Sequence, residues 1–153
     1  MRYSPENGIL ETGLIELVGV DEQVDQNDWS GSVDFDIGSS GYFVAFALIS
    51  TGGDEIQAEG KLYILDADPA ISSGDTSITA AEAKTVVGVV DVASDDWDSD
   101  DNHAIAYITD TIVPFHSMDQ VYFAFRLTSA TSLNSAGGDN ELLQLNAWYE
   151  KWT

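Results

Sequence analysis

The chain has 153 residues and a mass of 16.5 kDa, with 44% hydrophobic residues, enough apolar surface for one self-sufficient domain. Five Lys and Arg stand against 27 Asp and Glu, a formal net charge of −22 that repels phosphates and anionic headgroups and so argues against direct nucleic-acid or membrane binding. With no cysteine, disulfides, thiolate nucleophiles and zinc–thiolate sites are excluded.

The first residues, "MRYSPENG", place Pro5 and Gly8 ahead of the first apolar segment and lack the basic-then-apolar order of a secretory signal. No apolar run approaches the ~20 residues that span a bilayer, so synthesis and folding are expected in a cytoplasm. "ILETGLIELVGV" (9–20) reads as the first strand. In "SVDFDI" (32–37), Val33, Phe35 and Ile37 alternate with Asp34 and Asp36, the period of a strand with one wet face. "GYFVAFALIST" (41–51) is apolar on both faces, which predicts a strand buried on both sides. "GKLYILD" (60–66) continues the series, and the stretch 66–77 reads as a long loop.

In "GDTSITAAEAKTVV", Thr79 and Glu82 have capping-box spacing, predicting a helix of at most two turns. "TVVGVVDVA" (85–93), "HAIAYITDTIV" (103–113) and "DQVYFAFRLTS" (119–129) are strands, the last with Val121, Phe123, Phe125 and Leu127 on one face. "VPFHSMD" reads as a turn after Pro114, and 128–140 as a second long loop. "ELLQLNAWYEKW" (141–152) has helical spacing at Leu142, Leu145 and Tyr149. Strand is preferred because it follows "NSAGGDN" and ends in aromatics. About eight strands between Gly/Ser/Asp-rich turns, with one short helix, predict an all-β fold, an antiparallel sandwich or barrel.

Between the fifth and sixth predicted strands lies "SDDWDSDDNH" (94–103), with Asp95, Asp96, Asp98, Asp100 and Asp101. Asp96, Asp98, Asp100 and Asn102 alternate as calcium-loop ligands do. The sixth and twelfth positions, however, are Asp101 and Tyr107 where an EF-hand needs Gly and Glu. The expectation is a solvated turn with no metal site, in which Trp97 folds back onto protein.

With 27 acids, paired carboxylates arise by chance and do not identify a general acid and base. His116 beside Ser117 and Asp119 is adjacent in sequence only, whereas triads assemble in space; a histidine bonded to a loop carbonyl is expected instead. "GSSG" (38–41) is not a nucleophile elbow, and no phosphate-binding glycine loop occurs. No catalytic residue and no cofactor are therefore expected, and the chain reads as a non-enzyme. Trp29, Trp97, Trp148, Trp152 and the six tyrosines allow a sugar-stacking platform, though core packing accounts for most aromatics in β domains.

The order of "TAAEAKTVVGVVDVASDDW" followed by "HAIAYITDTIVPFHSMDQVYFAFRLTS" (79–129) resembles small structural proteins of tailed bacteriophages, the capsid decoration or cement type. It covers about a third of the chain and carries no catalytic residues. The resemblance implies a jelly-roll-like β-sandwich over 9–153 behind an N-terminal arm, 1–8. It implies a homo-oligomer, often a trimer, that binds major capsid protein subunits on the virion surface after assembly in the host cytoplasm. Tyr3 and Pro5 on the arm, Trp97, and Trp148, Tyr149 and Trp152 on the last strand are then the candidate interface anchors. No basic patch suited to an acidic lattice is evident. The competing reading is a carbohydrate-binding or receptor-binding module, such as a tail-fibre domain.

Overall fold

A computed structural model describes residues 5–11, 15–17, 29–50, 59–68, 79–100, 103–127 and 141–152. Its strands are β1 (Pro5–Glu11), β2 (Ile15–Leu17), β3 (Trp29–Ser50), β4 (Gly60–Leu65), β5 (Val86–Val92), β6 (Trp97–Asp100), β7 (His103–Ile108), β8 (Val113–Leu127) and β9 (Glu141–Trp152). All described pairings are antiparallel, and the fold is an all-β sandwich, as the alternation predicts.

The organising element is β3, whose 22 residues exceed an ordinary strand several-fold. Along one edge its residues 29–43 pair with β8 and 46–50 with β7; along the other, residues 40–50 pair with β9. Beyond β8 lie β4 and β5, beyond β9 lie β1 and β2, and beyond β7 lies β6. The first half of β3 thus belongs to a layer β3–β8–β4–β5, and its second half to a layer β1–β9–β3–β7–β6.

One core lies between the layers. Leu62, Ile64 and Val90 come from the first, Leu48, Ala106 and Leu145 from the second, and all belong to the same buried cluster. Burying each such side chain contributes roughly 1.5–3 kcal/mol for the larger ones, against the entropy of ordering it. Where β3 passes between layers, Phe43 packs on Phe46, Phe115 and Phe123, with centroids 5.0–5.9 Å away. In β8, Val121, Phe123 and Phe125 are buried on one face as their spacing predicts.

Several boundaries differ from the sequence reading. The expected pair of strands at 32–37 and 41–51 is one strand, with register shifts at Asp34/Ser39 and Ser39/Gly41 in place of a turn. The "VPFHSMD" segment is not a turn but the start of β8; its pairing with β3 shifts register between Phe115 and Gln120, and Ser117 within it has φ 50. The expected strand 103–113 breaks at 109–112, where four residues lie opposite Val44 and Ala45. The predicted helix is a single 3-10 turn, Glu82–Thr85. Its capping box is formed: the Thr79 N–H donates to Glu82 Oε2 at 2.6 Å and the Glu82 N–H to Thr79 Oγ1 at 3.3 Å.

Gly88 of β5 lies close to the start of β8, where a Cβ would collide with the Val113 side chain. Val113 is β-branched and buried, so it cannot swing aside. Gly88→Ala is expected to destabilise by about 1–3 kcal/mol through overpacking, read as a lower urea midpoint.

Candidate interaction surface

The outer face of the β1–β9–β3–β7–β6 layer is built by strand alternation. In β9, Leu145 and Ala147 point into the core, so Gln144, Asn146, Trp148 and Glu150 point out. The register sets Trp148 between Ile9 of β1 and Ala45 of β3, and Tyr42 beside Glu150. Ala47 lies between Asn146 and Tyr107 of β7.

A bulge enlarges the apolar character of this face. The β3–β9 register jumps from Phe43/Tyr149 to Ala45/Trp148, leaving Val44 as the additional residue. The side chains of Phe43 and Phe46 are both buried, so Val44 and Ala45 between them are turned outward together.

The result is a band of large apolar side chains in water. Ile9 is 50% exposed, Tyr107 57%, Tyr42 41%, and Val44 and Trp152 37% each. This corrects in part the expectation that 41–51 is buried on both sides: the inner face is covered, and the outer face is open at Tyr42 and Val44 while Ala47 is buried beneath its neighbours. Within the band the register places Glu150 and, opposite Asn146, Glu11, with exposed Asp98 on β6 at the edge. Gln144 Nε2 donates to Asn146 Oδ1 at 3.0 Å, so these two amides satisfy part of each other's polarity.

The outer face of the other layer differs in kind. Lys61 Nζ pairs with Asp91 Oδ1 at 2.6 Å, both exposed, and Lys61 lies opposite Arg126 in register. An exposed pair of this type contributes little to stability. Two of the five basic residues are therefore cross-strand neighbours, a proximity that their separation of 65 positions in sequence hides.

The sequence candidates are distributed unevenly over this structure. Trp148 and Trp152 lie on β9, half-buried and exposed respectively. Tyr149 is half-buried against the core, its ring over Gly8 of β1. Trp97 is 7% exposed and belongs to the core cluster, so its indole packs onto its own sandwich. Strand β1 begins at Pro5, inside the segment expected as an arm, and Pro5 pairs with Trp152 of the same chain. Tyr3 lies outside the described residues, as does the side chain of Trp29. Ile9 and Val44 were missed as surface candidates, and Tyr107 was named only among the six tyrosines of the sugar-stacking reading; the signal available for Val44 was the apolar character of both faces of β3.

The aspartate-rich stretch is a strand arm more than a loop. The Ala93 N–H donates to Asp96 Oδ2 at 2.8 Å, capping the 3-10 turn Ser94–Asp96. Trp97–Asp100 then pairs with His103–Ala106. Asp95 and Asp98 are exposed, while 101 and 102 lie outside the described residues. Among the described residues, no three His, Asp or Glu side chains are grouped to hold a metal ion.

His116 is bonded to a hydroxyl, not to a carbonyl. Its Nδ1 lies 3.3 Å from Ser40 Oγ, which also accepts the Ser117 N–H at 3.0 Å. These bonds tie β8 to β3 at the site of irregular register.

No protein-family model matches the chain, and no curated protein matches its sequence. Among solved structures, a chain from the cryo-EM structure of Mud crab tombus-like virus is similar at a TM-score of 0.39 and 10% identity, over 100% of this chain and 90% of that one. A likeness that loose assigns no role. No helix among the described residues is long and apolar enough to cross a membrane.

The acidic composition has a consequence for the whole fold. Carboxylates at this density repel one another, and the repulsion is shortened from about 10 Å at 0.1 M salt to about 3 Å at 1 M. The melting temperature is expected to rise by several degrees between dilute buffer and molar NaCl, measured by calorimetry; no rise would mean that the acids are already neutralised by local structure.

Proposed function

We propose that the chain is a non-enzymatic structural subunit that acts by assembly, a capsid decoration protein that binds major capsid protein subunits. The observation that carries the reading is the band around Tyr42, Val44, Tyr107 and Trp148. Large apolar side chains stand in water on one face of a sandwich whose net charge is −22. An exposed apolar area of this kind marks an interaction site, and Tyr and Trp are the residues that anchor protein interfaces. The resemblance of 79–129 to phage decoration proteins names the class of assembly. Mass spectrometry of virus particles purified from the source of the sequence is expected to find the chain in fixed proportion to the capsid subunit. Its absence from particles would overturn the role.

A second reading is favoured by the Gln144–Asn146 amide pair beside Trp148. Rings flanked by amides suit a neutral carbohydrate, whose C–H face stacks while its hydroxyls are hydrogen-bonded. Saturable binding on a glycan array, lost in Trp148→Ala, would replace the first reading by this one.

A further inference from the structure

We infer that the outer edge of β5 pairs antiparallel with β5 of a second copy of this chain, joining two sandwiches through one continuous sheet across a two-fold axis. The inference goes beyond the assembly reading above, because it uses backbone groups on the layer that does not carry the apolar band. Among the described residues, β4 is the one strand paired with β5, so alternate residues of β5 direct N–H and C=O groups away from the sheet. Strands at other sheet edges carry features that block such pairing. Strand β1 begins with Pro5 and contains Glu6 and Glu11, and β2 has three residues with Glu16 at their centre. Strand β6 has four residues, two of them aspartates. Strand β5 has seven residues, five of them valine, no proline and a single charged residue, Asp91. That charge is already matched by Lys61 at 2.6 Å.

The charges at the two ends of the strand select a second copy as the occupant. Before β5 stands the 3-10 turn Glu82–Thr85, with exposed Lys84 in its last turn; after it stands the turn Ser94–Asp96, with exposed Asp95 in its first. Glu82 and Asp96 are half-buried and accept N–H bonds within their own turns, from Thr79 and Ala93. An antiparallel two-fold pairing with Val89 opposite its own counterpart sets the start of one strand beside the end of the other. Lys84 of each copy then meets Asp95 of the other, twice per dimer. The same register places Asp91 opposite Val87, so the two Asp91 residues stand about 13 Å apart along the strands, beyond the roughly 8 Å over which charges interact at physiological salt. Val89, 44% exposed, gains an apolar cross-strand neighbour. A foreign strand would have to supply this order of charges anew, whereas a second copy has it by symmetry.

Sedimentation equilibrium of the purified chain in about 0.15 M NaCl tests the pairing, and a dimer with a micromolar dissociation constant is expected. Val89→Lys reduces the net negative charge, yet it sets two like charges opposite each other at the axis. The dissociation constant of that variant should rise roughly tenfold, with a melting temperature close to the parent's because the position is exposed. Lys84→Asp and Asp95→Lys, both at exposed positions, should each weaken the dimer by about three- to tenfold. The double variant keeps the net charge and restores both pairs in reverse. Its dissociation constant should return to within about threefold of the parent's, a rescue that a local role of either residue would not produce. In hydrogen exchange, the β5 amides should become slower as protein concentration rises, while those of β1 do not.

A monomer at roughly 100 µM, a hundredfold above a micromolar dissociation constant, overturns the inference. So does a dimer whose β5 amides exchange as fast as the monomer's. A dimer that Tyr107→Glu dissociates and Val89→Lys leaves intact would place the contact on the outer band and overturn it equally. A monomer whose β5 amides become protected only on addition of virus particles would assign the edge to a strand of another protein, and the second copy would be ruled out.

Discussion

Phe43→Ala is expected to cost about 3–5 kcal/mol, the range for truncating a fully buried phenylalanine. Phe43 is 0% exposed and sits where β3 passes from one layer to the other. Its ring is tilted on Phe46 at 5.9 Å and on Phe115 at 5.0 Å, and meets Phe123 edge-on at 5.9 Å. Such pairs add roughly 0.5–1.5 kcal/mol each beyond the area they bury. The neighbours cannot close the cavity by relaxing, because Phe46 is held in register with Ala147 and Ile108, and Phe123 with Ile64. In a domain of this size the melting temperature should fall by roughly 10 °C. Phe43→Leu, which keeps most of the volume, should cost only about 1–2 kcal/mol. Urea unfolding of the two variants checks both numbers, and equal losses would show that the ring contacts contribute nothing specific.

The parts of the fold that were legible in sequence are those set by alternation within one short segment. Val121, Phe123 and Phe125 recur every second residue and are buried together; Leu62 and Ile64 do the same in β4. The Thr79–Glu82 capping box was legible because both partners lie within four residues. What was not legible depends on strands far apart in sequence. The segment 38–41 looks like a turn because Gly and Ser flank it, yet its glycine answers to β8 and β9, some 75 and 110 residues on. Pro114 and His116 likewise suggested a turn, but Pro114 is only the second residue of β8, where a missing N–H is tolerated. The candidate surface was half legible. Trp148 and Trp152 were visible as aromatics on the last strand, whereas Val44 reaches the surface only because the register jumps beside it.

Gly41→Ala is the second large effect, expected at about 3 kcal/mol, the upper end of the overpacking range. Gly41 pairs with Phe115 on one side and Lys151 on the other, so three strands converge on it. A Cβ there would strike the Glu150 carbonyl oxygen and come within 2.7 Å of the Lys151 Cα, both backbone atoms of β9. A flexible side chain in the way would swing aside, as would the Tyr149 ring that lies over Gly8. Backbone cannot do so without breaking the ladder that holds β9, and through it β1, to β3. The damage should therefore be local: hydrogen exchange is expected to accelerate in β9 and β1, while β4 and β5, attached through β8, keep their protection. Because β9 also carries Trp148 and Trp152, the same substitution should disorder the interaction surface before it unfolds the core. Uniform loss of protection across all strands would show instead that the two layers unfold as one unit.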